Sequence, residues 1–217
     1  MARTQYTLEL EGAQDDLLLL GQRVEATIGD SVEALQNRDF KLAEKVVTDD
    51  DEIDRLQILL EERCIDIIAM QAPMASDLRR IVTIIHVGTE LERIADYAEG
   101  IAKIVLLMGD EPPLKRLIDI PRMAQIGMDM LRRSLQGLVT LDAKIGEAVA
   151  NDDDMVDALY QQILRELLGY MIENPSSIQR ATYLLWVAHD LERIGDRATN
   201  IAERAIYLAT GKLPHFD

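Results

Sequence analysis

The sequence contains an internal duplication, and this feature restricts the possible folds more than any other. Residues 31–60 match residues 134–163 with 11 identities in 30 positions, at a constant offset of 103. Residues 76–107 match residues 176–207 with 11 identities in 32 positions, at an offset of 100. A repeat of about 100 residues is too long for a solenoid unit and suits a duplicated small bundle. The chain is therefore predicted to consist of two similar modules.

Composition and charge restrict the class of protein and its partners. The 217 residues include 48% hydrophobic and 29% charged residues, which suits packed cores under a polar surface. The formal charge of −16 disfavours nucleic acid and anionic lipid, whose phosphates would be repelled, and favours cations or proteins with basic faces. A single cysteine, Cys64, cannot form an internal disulfide and is interpreted as a small buried hydrophobe. With neither a signal-peptide pattern nor a long apolar run, we expect a cytoplasmic protein without membrane insertion.

Glycine, proline and the spacing of apolar residues predict three long helices in each half. Pro73 and Pro175 stand at matched places, each ending one helical pattern and opening the next. The stretch Gly109–Pro113 is the expected linker between the halves. The predicted helices are about Leu8–Leu35 with a continuation through Val47, Asp51–Gln71 and Met74–Met108, then Pro121–Val139 with a continuation through Val149, Asp154–Ile172 and Ser176–Thr210.

Apolar residues at spacings of three and four support these helices. The third helix carries such a stripe, and the last helix repeats it from Leu184 to Ala205. No sustained alternation of polar and apolar residues indicates a strand. The fold class is therefore all-α, with two pseudo-symmetric three-helix bundles, and the domains are predicted at residues 1–109 and 114–217. The stripe of the third helix consists of Ile84, Val87, Leu91, Ile94, Ala98, Ile101 and Val105.

Pairs of carboxylates spaced four residues apart are the main candidate site. Spacing of four places both acids of a pair on one face of a helix. In an antiparallel hairpin, residues equidistant from the turn lie at equal height, and these pairs are equidistant from Pro73 or from the bond before Pro175. Each hairpin should therefore bring four carboxylates together. The four pairs are Asp50/Asp54, Glu92/Asp96, Asp153/Asp157 and Glu192/Asp196.

Four like charges on two neighbouring helices repel one another, so a cation must neutralise them. Arg93 and Arg193 lie beside the acidic pairs and could do so in part. Oxygen-only ligands otherwise select hard cations such as Mg²⁺, Ca²⁺ or Mn²⁺, with iron or zinc possible. Glu92 and Asp96 lie on a different face of the helix from the apolar stripe, which indicates that their side chains face solvent or a groove. The expected centre therefore structures a surface and is not catalytic.

The histidines are weaker candidates for site residues, and an enzymatic function is a weaker alternative. His189 precedes Glu192 by three residues and could be half of a ligand set, but Thr89 occupies the matching place in the first half. His86, His189 and His215 are interpreted as structural or solvated. A carboxylate-bridged di-metal enzyme remains an alternative, although such centres usually use Glu-x-x-His motifs that this chain lacks. No phosphate-binding glycine loop or nucleophile elbow occurs.

Three segments resemble the PhoU family of phosphate-signalling regulators over essentially the whole chain: Ser76-Asp77-Leu78-Arg79-Arg80, Glu92-Arg93-Ile94-Ala95-Asp96 and Glu192-Arg193-Ile194-Gly195-Asp196. The resemblance implies two three-helix bundles and iron, zinc or manganese-type clusters on the acidic motifs. It also implies a non-enzymatic negative regulator of phosphate uptake and of the phosphate-starvation response. Such a regulator, expected as a homodimer, links the ATPase subunit of a phosphate ABC transporter to a phosphate-sensing histidine kinase.

Two departures from the family pattern distinguish this chain. Arg197 follows the second acidic motif where relatives often have histidine, and the Asp-Leu-Arg element of the first half becomes Ser177-Ile178-Gln179 in the second. The halves are therefore expected to differ in metal content or in partner contacts. A relative that assists a secondary phosphate carrier instead of the ABC transporter is equally compatible with the sequence.

Overall fold

A computed structural model describes residues 2–212 and 214 of the chain. Within these residues the regular structure is entirely helical, which confirms the all-α prediction of two duplicated bundles. Each half contributes three helices, and the second half adds one 3₁₀ turn before its last helix. The helices are α1 (Ala2–Asn37), α2 (Phe40–Gln71), α3 (Ser76–Met108), α4 (Asp119–Thr140), α5 (Ala143–Glu173) and α6 (Ile178–Thr210).

The predicted continuations of the first and fourth helices are wrong, because the chain turns sharply after each of them. Arg38 adopts a positive φ of 55°, and the Asp39 side chain then accepts a hydrogen bond of 3.0 Å from the amide of Leu42. A carboxylate at this position satisfies an amide that the first turn of a helix leaves unpaired. Residues 40–47 therefore begin α2. The predicted start of the second helix at Asp51 is too late.

The same turn, followed by an aspartate that caps the next helix, occurs in the second half. Leu141 has a φ of 55°, and the Asp142 side chain accepts a hydrogen bond of 3.0 Å from the amide of Lys144. Residues 143–149 consequently belong to α5 and do not continue α4. The repeat thus extends to the caps, since Asp39 and Asp142 are related by the offset of 103 residues.

The two predicted proline turns connect the antiparallel hairpins. After α2, Ala72 takes a left-handed conformation with φ 44° and Pro73 follows before α3. After α5, the side chain of Asn174 accepts a hydrogen bond of 3.1 Å from the amide of Ser176, and Pro175 opens the 3₁₀ turn. Each hairpin therefore folds back where the sequence indicates.

Helices α3 and α6 are the central elements of the molecule. All seven residues of the predicted α3 stripe are buried, from Ile84 at one end to Val105 at the other. Helix α3 packs against α1 and α2, α6 packs against α4 and α5, and α3 and α6 pack against each other. Helix α1 also contacts α4, and the buried residues form one continuous core. Cys64 lies in this core, where burial raises the pKa of its thiol to about 11.

Residues 109–118 join the two halves outside the helices. The guanidinium of Arg38 donates a hydrogen bond of 3.0 Å to the carbonyl of Gly109, and Arg180 donates one of 3.3 Å to that of Pro112. Lys115 pairs with Glu166 of α5. The linker is thus attached to both halves, and the domain limits at residues 109 and 114 remain a prediction. None of the helices described is apolar over enough of its length to span a membrane.

Candidate metal centres

Helices α2 and α3 bring the first set of acids together on facing turns. Asp50 and Asp54 lie on α2, and Glu92 and Asp96 lie on α3; we call these four residues the α2–α3 cluster. One carboxylate oxygen from each of Asp50, Asp54 and Asp96 lies within 4.8 Å of the others. This spacing suits a set of oxygens that share bound cations. The hairpin geometry therefore brings carboxylates from both helices together around one point.

Asp50 is the residue of the α2–α3 cluster that lies deepest. It is 9% exposed, and its Oδ1 atom is buried without a hydrogen-bond partner, as is Oδ1 of Asp54. Burying a carboxylate oxygen without a partner is costly unless a cation compensates it. The sequence analysis placed Glu92 and Asp96 away from the core and gave no such position for Asp50, which is almost fully covered. An oxygen-ligand cation fits these atoms on both chemical and geometric grounds.

The electrostatics of the α2–α3 cluster reflect this crowding. Burial raises the pKa of Asp50 to about 7, with further contributions from the negative charges of Glu99, Asp54 and Asp96. Burial, followed by the charge of Asp96, also raises the pKa values of Asp54 and Glu92. Each of these shifts disfavours the charged carboxylate, and a bound cation would reverse that preference.

Two basic side chains lie beside the α2–α3 cluster. The guanidinium of Arg93 is 3.0 Å from Asp96 and 3.4 Å from Glu92, so the sequence-based role of this arginine as a partial counter-charge agrees with its position. The ammonium of Lys103 lies 2.5 Å from Glu99. Sequence reasoning missed both Glu99 and Lys103, although Glu99 follows Asp96 by three residues on the same face of α3.

Helices α5 and α6 carry the second set, Asp153, Asp157, Glu192 and Asp196, which we call the α5–α6 cluster. Burial raises the pKa of Asp153 to about 6, with further contributions from Asp196 and Asp157. The Oδ1 atom of Asp153 is buried, and the hydroxyl of Thr199 acts in the opposite direction and lowers the pKa of Asp153 in part. Burial, followed by Asp196, also raises the pKa values of Asp157 and Glu192. The second hairpin therefore repeats the crowding of carboxylates seen in the first.

The surroundings of the α5–α6 cluster differ from those of the first. Asp153, Asp157 and Asp196 of this cluster line an open polar depression of about 660 Å³, which Arg193, Arg197 and Asn200 also line. Arg193 is 2.6 Å from Asp196. Nδ1 of His189 lies 3.3 Å from Glu192, on a side chain that is 54% exposed. His215 lies outside the described residues. The assignment of the eight acids as metal ligands remains a prediction.

The fold and these sites together define a class of protein: a duplicated all-helical molecule with an oxygen-rich cluster of carboxylates on each hairpin. The family model "PhoU domain" matches residues 17–105 and again residues 120–205. The chain therefore belongs to the PhoU family, as its motifs indicated.

Relatives and solved structures agree with this assignment over nearly the whole chain. A protein of Aquifex aeolicus is 40% identical over 94% of this chain and 93% of its own length. A protein of Clostridium acetobutylicum is 39% identical over 98% and 97%. Both are named phosphate-specific transport system accessory protein PhoU homologues.

Two crystal structures have the same fold. The phosphate transport system regulatory protein PhoU of Streptococcus pneumoniae superposes with a TM-score of 0.91 at 31% identity, covering 97% of this chain and all of that one. PhoU of Pseudomonas aeruginosa superposes with a TM-score of 0.91 at 36% identity, covering 95% of this chain and all of that one. The duplicated bundle is therefore the fold of the family.

Proposed function

We propose that this protein is a cytoplasmic, non-enzymatic accessory regulator that represses phosphate uptake and the phosphate-starvation response when phosphate is sufficient. It links the ATPase subunit of a phosphate ABC transporter to a phosphate-sensing histidine kinase, and it acts as a homodimer. The observation that carries this proposal is the 40% identity, over almost the full length of both chains, to a protein named as a phosphate-transport accessory protein.

The acidic clusters support a metal-binding role within this function. Asp50, Asp54, Glu92 and Asp96 would hold a cation between α2 and α3, and the α5–α6 cluster would hold another between α5 and α6. Iron, zinc, manganese or magnesium suits such a set of oxygen ligands. The bound charge would offset the repulsion among the carboxylates and fasten each hairpin. The clusters lie on hairpin faces and not between four helices, which favours a structural role over di-metal oxygen chemistry.

The net charge supports binding to proteins with basic surfaces. At −16 the molecule would approach a basic face of a transporter ATPase or kinase with favourable long-range electrostatics. It would be repelled by nucleic acid and by anionic lipid. Contact with the membrane machinery is therefore expected to pass through the cytoplasmic subunit of the transporter.

Deletion of the gene in its host tests the regulatory role. We expect alkaline phosphatase and phosphate-transporter expression to be high even at high phosphate, and the wild-type gene to restore repression. Unchanged expression after deletion would contradict the proposal. A response to deletion that persists in a host lacking the ABC ATPase would assign the regulator to a secondary phosphate carrier.

A further inference from the structure

Four ring-bearing side chains lie together on α5 and α6, and we call them the aromatic patch: Tyr160, Tyr183, Trp186 and His189. The rings of Tyr183 and Trp186 have centroids 5.8 Å apart at an interplanar angle of 58°. Those of Tyr160 and His189 have centroids 6.1 Å apart at an angle of 46°. Trp186 and His189 are three residues apart, which makes them neighbours on one face of α6. The two pairs of rings therefore lie side by side.

The aromatic patch combines solvent exposure with support from the core. Trp186 is 49% exposed, and the side chain of His189 is 54% exposed. Tyr160 and Tyr183 are partly buried and pack against the core. The chain has one tryptophan and six tyrosines, so three of these seven residues lie in this patch. Tryptophan and tyrosine are the residues most enriched at the points that dominate binding between proteins.

The first half of the molecule lacks this surface. At the offsets that relate the two halves, Gln57 stands in place of Tyr160, and Thr83, His86 and Thr89 stand in place of the three residues of α6. The halves share the same helices and acidic pairs, so the fold does not require tyrosine or tryptophan at these positions. The aromatic patch is therefore a property of the second half alone.

The charges around the aromatic patch favour a cationic partner. Asp190 follows His189 in α6, and the carboxylate of Glu192 is 3.3 Å from Nδ1 of His189. Arg193, one turn further along α6, is already paired with Asp196 at 2.6 Å. The face of an aromatic ring attracts cations, most strongly in tryptophan, and neighbouring carboxylates add to this attraction. An anionic ligand would be repelled by the same groups.

We propose that the aromatic patch is a docking surface for a protein partner that places an arginine side chain against Trp186. Arginine suits this surface because its planar guanidinium stacks on aromatic rings and is more weakly hydrated than an ammonium. A second copy of the chain is a poorer occupant, because two molecules of charge −16 repel each other. The inference rests on the proposed function and deepens it, since it names a surface through which this acidic regulator contacts a basic partner.

Two peptides of equal length, with arginine or citrulline at the same positions, test the surface on the full chain. Citrulline has nearly the shape of arginine but carries no charge. Trp186 is the only tryptophan, so its fluorescence reports contact with an unlabelled peptide that has no aromatic residue. Fluorescence anisotropy of labelled peptides at physiological ionic strength gives the affinities.

The variants separate the ring of Trp186 from apolar surface in general. Trp186→Leu removes the ring system and keeps an apolar side chain, and Trp186→Phe keeps a smaller ring. Ile172→Ala is the matched control, because Ile172 is an apolar residue of α5 that is 82% exposed and lies outside the aromatic patch. Circular dichroism checks that each variant keeps its helicity.

We expect the arginine peptide to change the emission of Trp186 and the citrulline peptide to bind much more weakly. Trp186→Leu should weaken binding of the arginine peptide by about 5–30-fold, as expected for a cation–π contact that binding removes from water. Trp186→Phe should lose less. Ile172→Ala should change the affinity by less than about twofold, as for an ordinary surface substitution.

Equal losses for Trp186→Leu and Ile172→Ala would show attraction to the net charge alone and would overturn the proposal. No binding of the arginine peptide, or equal binding of both peptides, would overturn it as well. Self-association in analytical ultracentrifugation that Trp186→Leu abolishes would assign the aromatic patch to a second copy instead. Deletion of the gene tests the regulatory role separately, so failure of the peptide test would remove this surface and leave that role standing.

Discussion

At Asp50, burial of the side chain conflicts with the negative charge of its carboxylate. Its side chain is almost fully covered, and its carboxylate lies near those of three other acids. Only protonation or a cation removes that conflict. A residue that would be an ordinary surface acid on an isolated helix is therefore expected to respond here to pH and to added cations.

The first prediction concerns pH in chelator. The pKa is about 7 for Asp50 and about 6 for Asp153, above the usual value of about 4 for an unfolded Asp. Folding therefore favours their protonated forms. The stabilising contribution is complete below about pH 4 and is lost as pH rises through 6 to 7. We expect Asp50→Asn to raise Tm by a few degrees at pH 8 and by much less at pH 4, since about 1 kcal/mol moves Tm by ~2–4 °C at this length.

Thermal unfolding followed by circular dichroism from pH 4 to pH 8 measures this effect. Asp51→Asn serves as the control, because Asp51 is exposed. Parallel curves of Tm against pH for the wild type and Asp50→Asn would show that Asp50 does not titrate as its burial requires.

The second prediction concerns the acids of α3. Glu92→Gln combined with Asp96→Asn should lower the metal content of the purified protein while leaving helicity nearly intact, since both side chains are partly exposed and neither fills the core. Elemental analysis after purification without added metal or chelator measures the content. Glu33→Gln with Glu173→Gln removes the same charge at exposed positions away from the clusters. Metal content equal to that of this control would defeat the ligand assignment.

At the scale of elements, the ends of the helices matter as much as their faces. The polar residues between α1 and α2 cap the second helix, and α2 therefore extends ten residues ahead of Asp50, from Phe40. A long, well-capped α2 places Asp50 and Asp54 in the middle of a rigid element, where fraying cannot move them. The caps thus help to position acidic residues that lie about three turns away.

The third prediction tests the cap. Asp39→Ala should lower the free energy of unfolding by about 0.5–2 kcal/mol, because the amide of Leu42 loses its acceptor. Asp39→Asn keeps a side-chain oxygen at the same place and should cost much less. Urea denaturation gives both values. Equal losses for the two substitutions would indicate that the negative charge, and not the hydrogen bond, stabilises the start of α2.

At the scale of the whole molecule, the interface between α3 and α6 joins the two halves asymmetrically. Glu90 of α3 is 3.3 Å from both Arg197 and Asn200 of α6. The equivalent of Glu90 is Asp190, whose carboxylate lies beside Gly100, the residue that corresponds to Asn200. Tyr97 stands in the first half at the position of Arg197. Burial raises the pKa of Asp190 to about 6. Among the described residues, Glu90 therefore has an ion pair with Arg197 across the interface, and Asp190 has no equivalent one.

The fourth prediction follows from the continuous core. Leu191→Ala removes a side chain that is 1% exposed in α6 and should cost about 2–5 kcal/mol. Because α6 packs on α3, we expect the slowest hydrogen exchange to accelerate in α2 as well as in α5. Mass spectrometry resolves the helices, and Leu168→Ala at an exposed position is the control. Acceleration confined to α4–α6 would show that the halves unfold independently.

Much of the architecture could be predicted because its signals are local. The apolar spacing in α3, the prolines of both hairpins and the four acidic pairs each lie within a few residues of sequence. The misplaced starts of α2 and α5 arose because apolar spacing continues across the breaks. The chain nevertheless turns at Arg38 and Leu141, which have positive φ, and the carboxylates that follow them cap the next helices. The repeated acidic motifs did not predict Glu99 as a neighbour of the site, because Glu99 has no acidic counterpart in the second half.

The sequence by itself determined the helices, the duplication and the height at which the acids face one another, since helical periodicity and turn residues act over short distances. Only the tertiary structure decided how deeply Asp50 is buried, which side chains share its surroundings and how α3 and α6 join the halves. Burial and electrostatic coupling depend on neighbours that are remote in the chain, so they exist only once the helices have packed.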